Sequence, residues 1–511
     1  MEHVYSLHII VIAMKKTSIQ ISHSLRASYR PASLEDCISH LRKYFDAFAD
    51  VRDDWRYRNR GYHEELLRTY RYHVPQGATV MEVGCATGDL LAGLKPSRGL
   101  GIDLSPKMIE RARGKHPELD FRCSAAELFA DDVGTFDYII LSDLLGFSYD
   151  ILVLFKSLKR YCHARTRLII NVHSRVWQPI LSLTELTGLK YRQPVMNWVT
   201  REDVISLLHL SGFESVQHYA NQLCPLRIPL VSRLLNRMLS PLVPFSWFSL
   251  VNWVIARCPM QPLAANPDDT ASEPSVTVVC PCRNEAGNIL EIVRRLPTMG
   301  REMELIFVEG HSSDNTYEAC LSARDSHPQQ NISVYRQEGR GKKDAVWLGF
   351  SKAKGDALMI LDADMTVPPE DLPSFYIALA EGRAEFVNGS RLVYSMEGEA
   401  MRFLNLLANK FFSKAFTFLL GQPLKDTLCG TKVLLRKDFE RLLANQSYFG
   451  EFDPFGDFDL IFGAAKLGLK ICDLPIRYRQ RAYGTTQISR FRHGWILLKM
   501  CAVGLFRLKL R

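Results

Sequence analysis

The feature that most restricts the fold of this chain is an alternation. Short apolar strand patterns end on glycine-rich or acidic loops, and helical patterns follow at once. That order predicts parallel strands with crossover helices on both faces of an open sheet, with ligands at the carboxyl ends of the strands. The alternation runs in two tracts. Between them, residues 259–274 are rich in Pro, Ala, Asp and Ser and carry no period, as a domain boundary does. The expected organisation is an N-terminal extension (1–30), a first α/β domain (31–258), the linker (259–274), a second α/β domain (275–490) and a basic amphipathic C-terminal helix (491–511). The tracts carry different motifs, so the chain is not a duplication.

In the first tract, residues 78–83 read as a buried strand that stops at Gly84-Cys85-Ala86-Thr87-Gly88, and a helical pattern starts at Asp89. Glycines let the backbone turn sharply and approach a ligand closely, and the helix start offers free N–H groups. Gly101-Ile102-Asp103 closes the next strand, 19 residues after Gly84. A carboxylate there can hydrogen-bond both ribose hydroxyls of an adenosine. Ser105-Pro106 then supplies an N-cap and a first-turn proline. A lone glycine turn would be only a turn; strand, turn, helix and a spaced acid together indicate a nucleoside-type cofactor.

The signature Glu82-x-Gly84-x-x-x-Gly88 lacks the second glycine of a dinucleotide fingerprint. From Tyr44 to Cys258 the chain resembles class I S-adenosylmethionine-dependent methyltransferases. The resemblance implies a Rossmann-like sheet and cofactor contacts from Glu82, Gly84, Cys85, Ala86, Gly88, Asp103, Leu104, Ala126 and Glu127. It also places Phe136–Asp143 as the strand ending beside the methyl group. Asp143 is the candidate to orient or deprotonate an acceptor. His173 and Trp177 are candidate pocket residues, although such residues more often only pack.

In the second tract three strand ends carry polar groups: Pro281-Cys-Arg283-Asn-Glu285, Glu309-Gly-His-Ser-Ser-Asp314, and Asp362-Ala-Asp364. Alternation along a strand lets Asp362 and Asp364 point the same way. Such a pair can hold a hard divalent cation, Mg or Mn, that neutralises a leaving diphosphate. Residues 275–490 resemble family 2 glycosyltransferases of the GT-A fold, with the dolichyl-phosphate mannose synthase-like branch nearest. The resemblance implies a nucleotide-sugar donor bound by Pro281, Arg283, Glu285, Glu309, Asp314, Lys342, Asp362, Arg391 and Thr486, with Asp362 and Asp364 on the metal. Asn388-Gly-Ser-Arg391 and Pro475–Thr486 match motifs of that branch. Gln487 stands where it has lysine, and Asp426-Thr-Leu-Cys-Gly-Thr431 alters its D-x-x-G-G. A polyprenyl phosphate acceptor is already anionic and needs cations, for which Arg391 and Arg481 are candidates. A hydroxyl acceptor would need a base, for which Asp457 and Asp459 are candidates. Asp364, Asp459, Asp457, Arg481 and Asp143 form the catalytic set.

Composition narrows the classes further. With 47% hydrophobic and 23% charged residues the chain is neither disordered nor fibrous. A net charge of +9 favours anionic partners, but no nucleic-acid motif is present. The twelve cysteines contain no C-x-x-C and read as free thiols of a reducing compartment. The apolar stretch from Val4 to Met14 lacks a basic lead and a cleavage site. No apolar run reaches bilayer-spanning length. Basic, aromatic-rich stretches at 402–420 and 495–511, with 227–238 a weaker third, suit peripheral contact at the cytosolic face of a membrane. The expected function is a bifunctional transferase; the rival reading is a glycosyltransferase to a hydroxyl, carrying a non-catalytic cofactor-binding scaffold.

Overall fold

The computed structural model describes residues 33–194, 197–259, 273–391, 403–427, 429–445, 457–476 and 490–510, with the side chains of 403–410, 457, 490–494 and 496 excepted. The chain forms two compact units, Met1–Cys258 and Pro259–Arg511.

In the first unit, α1 (Leu34–Ala49), α2 (Arg52–Arg58) and α3 (Arg60–His73) precede β1 (Thr79–Val83). There follow α4 (Asp89–Leu94), β2 (Arg98–Asp103), α5 (Pro106–Lys115), β3 (Asp120–Cys123) and β4 (Phe136–Ser142). Then come α6 (Ile151–Leu158), β5 (Cys162–His173), α7 (Gln178–Leu186), α8 (Arg201–Leu210), β6 (Glu214–Asn221) and β7 (Val251–Arg257). The seven strands lie in the order β3-β2-β1-β4-β5-β7-β6. Strand order reverses between β1 and β4, which opens a crevice beyond their carboxyl ends. The buried runs Val80–Val83 and Tyr138–Leu141, apolar but for Glu82, explain why these two strands are central: buried on both faces, they need helices on both sides. Ser105 caps α5 by accepting from Met108 N, with Pro106 in its first turn, as the sequence predicts.

In the second unit, β8 (Val276–Cys282), α9 (Ile289–Arg295), β9 (Met303–Glu309), α10 (Thr316–Ser326), β10 (Asn331–Arg336), α11 (Lys342–Lys352) and β11 (Ala357–Ile360) alternate strand and helix. After them come α12 (Leu372–Ala380), β12 (Phe386–Ser390), α13 (Phe403–Leu420), β13 (Lys432–Leu435), α14 (Arg436–Ala444), α15 (Asp457–Lys466), β14 (Ile471–Pro475) and α16 (Arg490–Gly504). The order is β10-β9-β8-β11-β13-β12-β14, with its switch between β8 and β11.

The α/β class is as the sequence predicts, but neither sheet is wholly parallel. β7 runs antiparallel to both β5 and β6, and β13 antiparallel to both β11 and β12. The sequence pattern does not separate these cases, because a central strand buried on both faces reads as one apolar run in either direction. Among the described residues no helix is long and apolar enough to cross a membrane. Phe412, Phe416 and Leu419 of α13 are core residues, with the Phe416 ring stacked on Phe462 of α15 at 5.5 Å. That face of the helix is therefore spent on packing, while Phe411, Trp495 and Phe506 remain exposed.

Candidate active sites

The first site grows from the end of β1. Gly84 (φ +79°), Ala86 (φ +47°) and Gly88 (φ +74°) turn the chain through left-handed conformations. A Cβ on Gly88 would meet the Phe121 ring at 2.6 Å, so only glycine fits. Asp103, at the end of β2, accepts from Ala86 N at 2.9 Å through one carboxylate oxygen and from Ser105 N at 2.9 Å through the other. One side chain thus holds the glycine loop to the start of α5. Glu82 is buried and accepts from Leu91 N at 3.0 Å. Burial pushes its carboxyl up to about 8.

Residues upstream of every sequence motif complete this site. Arg52 of α2 donates to Thr87 Oγ1 and lies 3.1 Å from Asp89, clamping the loop and the first turn of α4. Arg56, Lys115 and His116 surround the same Asp89 within 3.6 Å. The Thr87 hydroxyl, which donates to Asp89 at 2.7 Å, and then the charges of Arg56, Arg52 and Lys115 hold the Asp89 carboxyl down at about 2 against its own burial.

Asp143, one residue past β4, has φ +53°, which few non-glycine residues adopt. Its two oxygens accept from Tyr62 Oη and Asn171 Nδ2, each at 2.7 Å. Asn171 is oriented in turn by Tyr70, whose hydroxyl donates to Asn171 Oδ1 at 2.6 Å. Tyr62 Oη lies 3.2 Å from His173 Nε2, and the two rings stack. With the single Tyr62 proton directed at Asp143, His173 Nε2 is the donor of that contact. Burial lowers His173 below its ordinary value and takes His63 down to about 3, so both rings are neutral at pH 7. Burial, then Asp143, raises the Tyr62 phenol well above its ordinary value.

One cavity of about 840 Å³ joins these groups: Glu82, Gly84, Asp103 and Glu127 line it together with Tyr62, Asp143 and His173. That is at the upper end of the roughly 300–1,000 Å³ of small-molecule sites, room for a cofactor and an acceptor together. Cys85, Ala86, Leu104, Ala126 and Trp177 also line it, as does the aromatic face of α1. Gly88 does not; its place is the turn into α4. Glu127 accepts from Ser148 Oγ at 2.7 Å and Tyr149 N at 3.0 Å, fixing the loop after β4.

The second site lies at the ends of β8, β9 and β11. Asp314 ties two of these ends, accepting from Thr316 N at 3.1 Å and Ala286 N at 3.4 Å. Glu285 is buried against Asn288, which donates to it at 2.7 Å. Glu309, also buried, accepts from Ser312 N at 2.5 Å, with Arg336 3.6 Å from its second oxygen. Pro281 is the penultimate residue of β8, and Arg283 is exposed just beyond it.

The paired lysines that open α11 reach two separate carboxylates. Lys342 Nζ is 2.7 Å from Asp362 and Lys343 Nζ is 2.7 Å from Asp459. Asp459 is nearly buried in α15, and burial raises its carboxyl from its ordinary value, opposed by Lys343. A Cβ on Gly430 would stand 1.8 Å from Asp362 Oδ2, so the altered D-x-x-G-G segment closes directly over that acid. Asp364 accepts from Thr366 N at 3.1 Å and Thr366 Oγ1 at 2.8 Å, which orients it in the turn after β11. Arg391 makes a two-pronged ion pair with the buried Asp426, at 2.7 and 2.9 Å. The fork that the sequence offers to phosphate is thus engaged by the first residue of the same segment. Arg481, Thr486 and Gln487 lie outside the described residues, as does the side chain of Asp457.

Comparison with known proteins agrees with the sequence resemblances in both halves. Residues 55–218 match the family model described as a methyltransferase domain, and residues 277–443 match glycosyl transferase family 2. Among solved structures, an S-adenosylmethionine-dependent methyltransferase of Thermotoga maritima, a possible histamine N-methyltransferase, is 16% identical with a TM-score of 0.35 over 43% of this chain and 99% of its own. The magnesium protoporphyrin IX methyltransferase of Synechocystis, with bound S-adenosylhomocysteine, is 17% identical (TM-score 0.32) over 43% of this chain and 99% of its own. Glucosyl-3-phosphoglycerate synthase of Mycobacterium tuberculosis, in complex with Mn2+, UDP and glucosyl-3-phosphoglycerate, is 20% identical (TM-score 0.35) over 47% of this chain and 81% of its own.

Proposed function

We propose that this chain, which joins a methyltransferase domain to a family 2 glycosyl transferase domain, is a bifunctional transferase of one glycan or lipid pathway. The first unit uses S-adenosylmethionine, and the second transfers a sugar from a nucleotide donor to a polyprenyl phosphate with a divalent cation. The observation that carries the first half is the continuous cavity from Asp103 to Asp143. The cradle at Gly84, Cys85 and Ala86 and the Asp103 carboxylate suit an adenosine-bearing cofactor, which would supply an electrophilic methyl group. Methyl transfer then needs alignment of the acceptor more than strong base catalysis. Asp143 takes that role: Asn171 and Tyr62 fix its oxygens, and burial keeps the neighbouring His173 neutral.

In the second unit the Lys342 ammonium, 2.7 Å from Asp362, is a stand-in for a cation at the acid pair. Asp362 and Asp364 would hold Mg or Mn there, which neutralises charge on the leaving diphosphate. Among the described residues no cluster of three or more metal-ligating side chains exists, so donor oxygens would complete the coordination. Lys342, at the start of α11 beside Asp362, would offer a second positive charge to the diphosphate. Glu309 and Asp314 order the loop that receives the base and ribose. Asp364→Ala should abolish formation of a lipid-linked sugar from nucleotide sugar and manganese, read by mass spectrometry, while Asp103→Ala leaves it intact. Full sugar transfer by Asp364→Ala would refute the assignment.

One observation favours a hydroxyl acceptor as a second reading. Arg391 is committed to Asp426, whereas Asp459, a nearly buried carboxylate, stands beside Lys343 of the helix that opens with Lys342. Under that reading Asp459→Asn loses sugar transfer to every acceptor; under the phosphate reading it retains most of it.

A further inference from the structure

Three aliphatic residues, Ile180, Leu189 and Leu226, line the methyltransferase cavity and are also strongly exposed. A side chain that faces both the cavity and solvent marks the opening, so the opening has an apolar rim drawn from two stretches. One is α7 and the turn after it, where Leu183 and Leu186 are exposed as well. The other is residues 223–249, between β6 and β7, where Leu230 is 81%, Trp247 66% and Val243 63% exposed. Trp177 Nε1 donates to Phe248 O at 2.7 Å and joins the two.

The charges of this surface are one-sided. Residues 223–249 contain no Asp, Glu or Lys, and their ionic groups are Arg227, Arg233 and Arg237. The acids facing them from α3 are Glu64, 3.4 Å from Arg227, and Glu65, which is engaged by Arg68. Counting Arg68, the local balance stays positive. An exposed apolar surface of this kind marks a partner, and exposed Trp and Phe interleaved with arginine suit the headgroup boundary of a bilayer. Positive balance selects an anionic bilayer.

We infer that residues 223–249 and α7 seat the first unit on an anionic lipid bilayer, so that the methyl acceptor enters the cavity from the membrane as a molecule with a hydrocarbon body. The identity of the entering molecule as a methyl acceptor rests on the methyltransferase reading; the docking does not. The test is hydrogen–deuterium exchange on the full chain with vesicles of phosphatidylcholine alone or mixed with phosphatidylglycerol. Mixed vesicles should slow exchange several-fold across 223–249 and 178–189, and neutral vesicles much less. Leu230→Glu and Trp247→Glu should lose that protection while keeping S-adenosylmethionine affinity, which shows that the unit is folded. Unchanged exchange on mixed vesicles overturns the proposal. So does protection that appears without vesicles as protein concentration rises, since a second copy then covers the surface. Retained cofactor binding and docking, without methyl transfer to any lipid extract, would sink the acceptor reading and leave the docking standing.

Discussion

Glu82 is a titratable group set where a charge is costly. Its carboxyl has an ordinary value near 4.5 and is pushed to about 8 by burial in the fold. The folded state therefore holds a proton that the unfolded chain has lost over that window, and stability falls as pH rises from about 4.5 to 8. Glu82→Gln should flatten this decline in urea midpoints measured across that range; an unchanged slope in the variant would refute the raised value. The same proton should leave when the cationic cofactor binds, because a nearby positive charge favours the carboxylate. Calorimetry at pH 7 in buffers of different ionisation enthalpy reads that release directly. Asp143 is a different case, since its bonds to Tyr62 and Asn171 orient it and its backbone is held left-handed. Asp143→Asn should keep cofactor affinity within about two-fold and cut kcat by 100-fold or more, as expected when one aligned polar contact to reacting groups is lost. A loss confined to cofactor affinity would assign the residue to binding instead.

At the scale of elements, the clamp of α2 on the glycine loop has a measurable strength. Arg52→Ala removes charge-assisted bonds to Thr87 and Asp89, each of a kind that contributes about 1.5–3 kcal/mol. S-adenosylmethionine binding should weaken about ten-fold or more, read by calorimetry, and the melting temperature should fall by several degrees. The strand-end motifs were legible because their physics is local: Gly84, Gly88 and Asp103 lie within 19 residues, and turn, helix start and acid are all fixed by neighbours in sequence. Arg52, Tyr62 and Asn171 had no such signature. They reach the site from α2, α3 and β5 only once the sheet brings β1, β4 and β5 side by side. Lys343 was hidden for another reason. Beside Lys342 it reads as a second donor-binding cation, and only the fold, which brings α11 to α15, gives it Asp459. The Arg391–Asp426 pair likewise spans 35 residues, and no spacing rule predicts it.

At the scale of the whole molecule, the chain divides into two compact units, and each carries its own strand-end candidate residues. Loss of one chemistry should therefore leave the other's binding step intact. The double variant Asp103→Ala/Asp364→Ala should show additive losses of cofactor and nucleotide affinity, within about 0.5 kcal/mol, as independent sites do. A larger coupling term would mean that the units communicate. A last consequence concerns time. The wall of the methyltransferase cavity made by α1 and α2 is latched to α5 by Arg111–Asp50 and Lys115–Asp53, pairs open to solvent. Mobile ions weaken such latches far more than they weaken buried contacts. That wall should therefore loosen as ionic strength rises, while the buried sheet behind it does not, so salt sets how long the chamber keeps its shape.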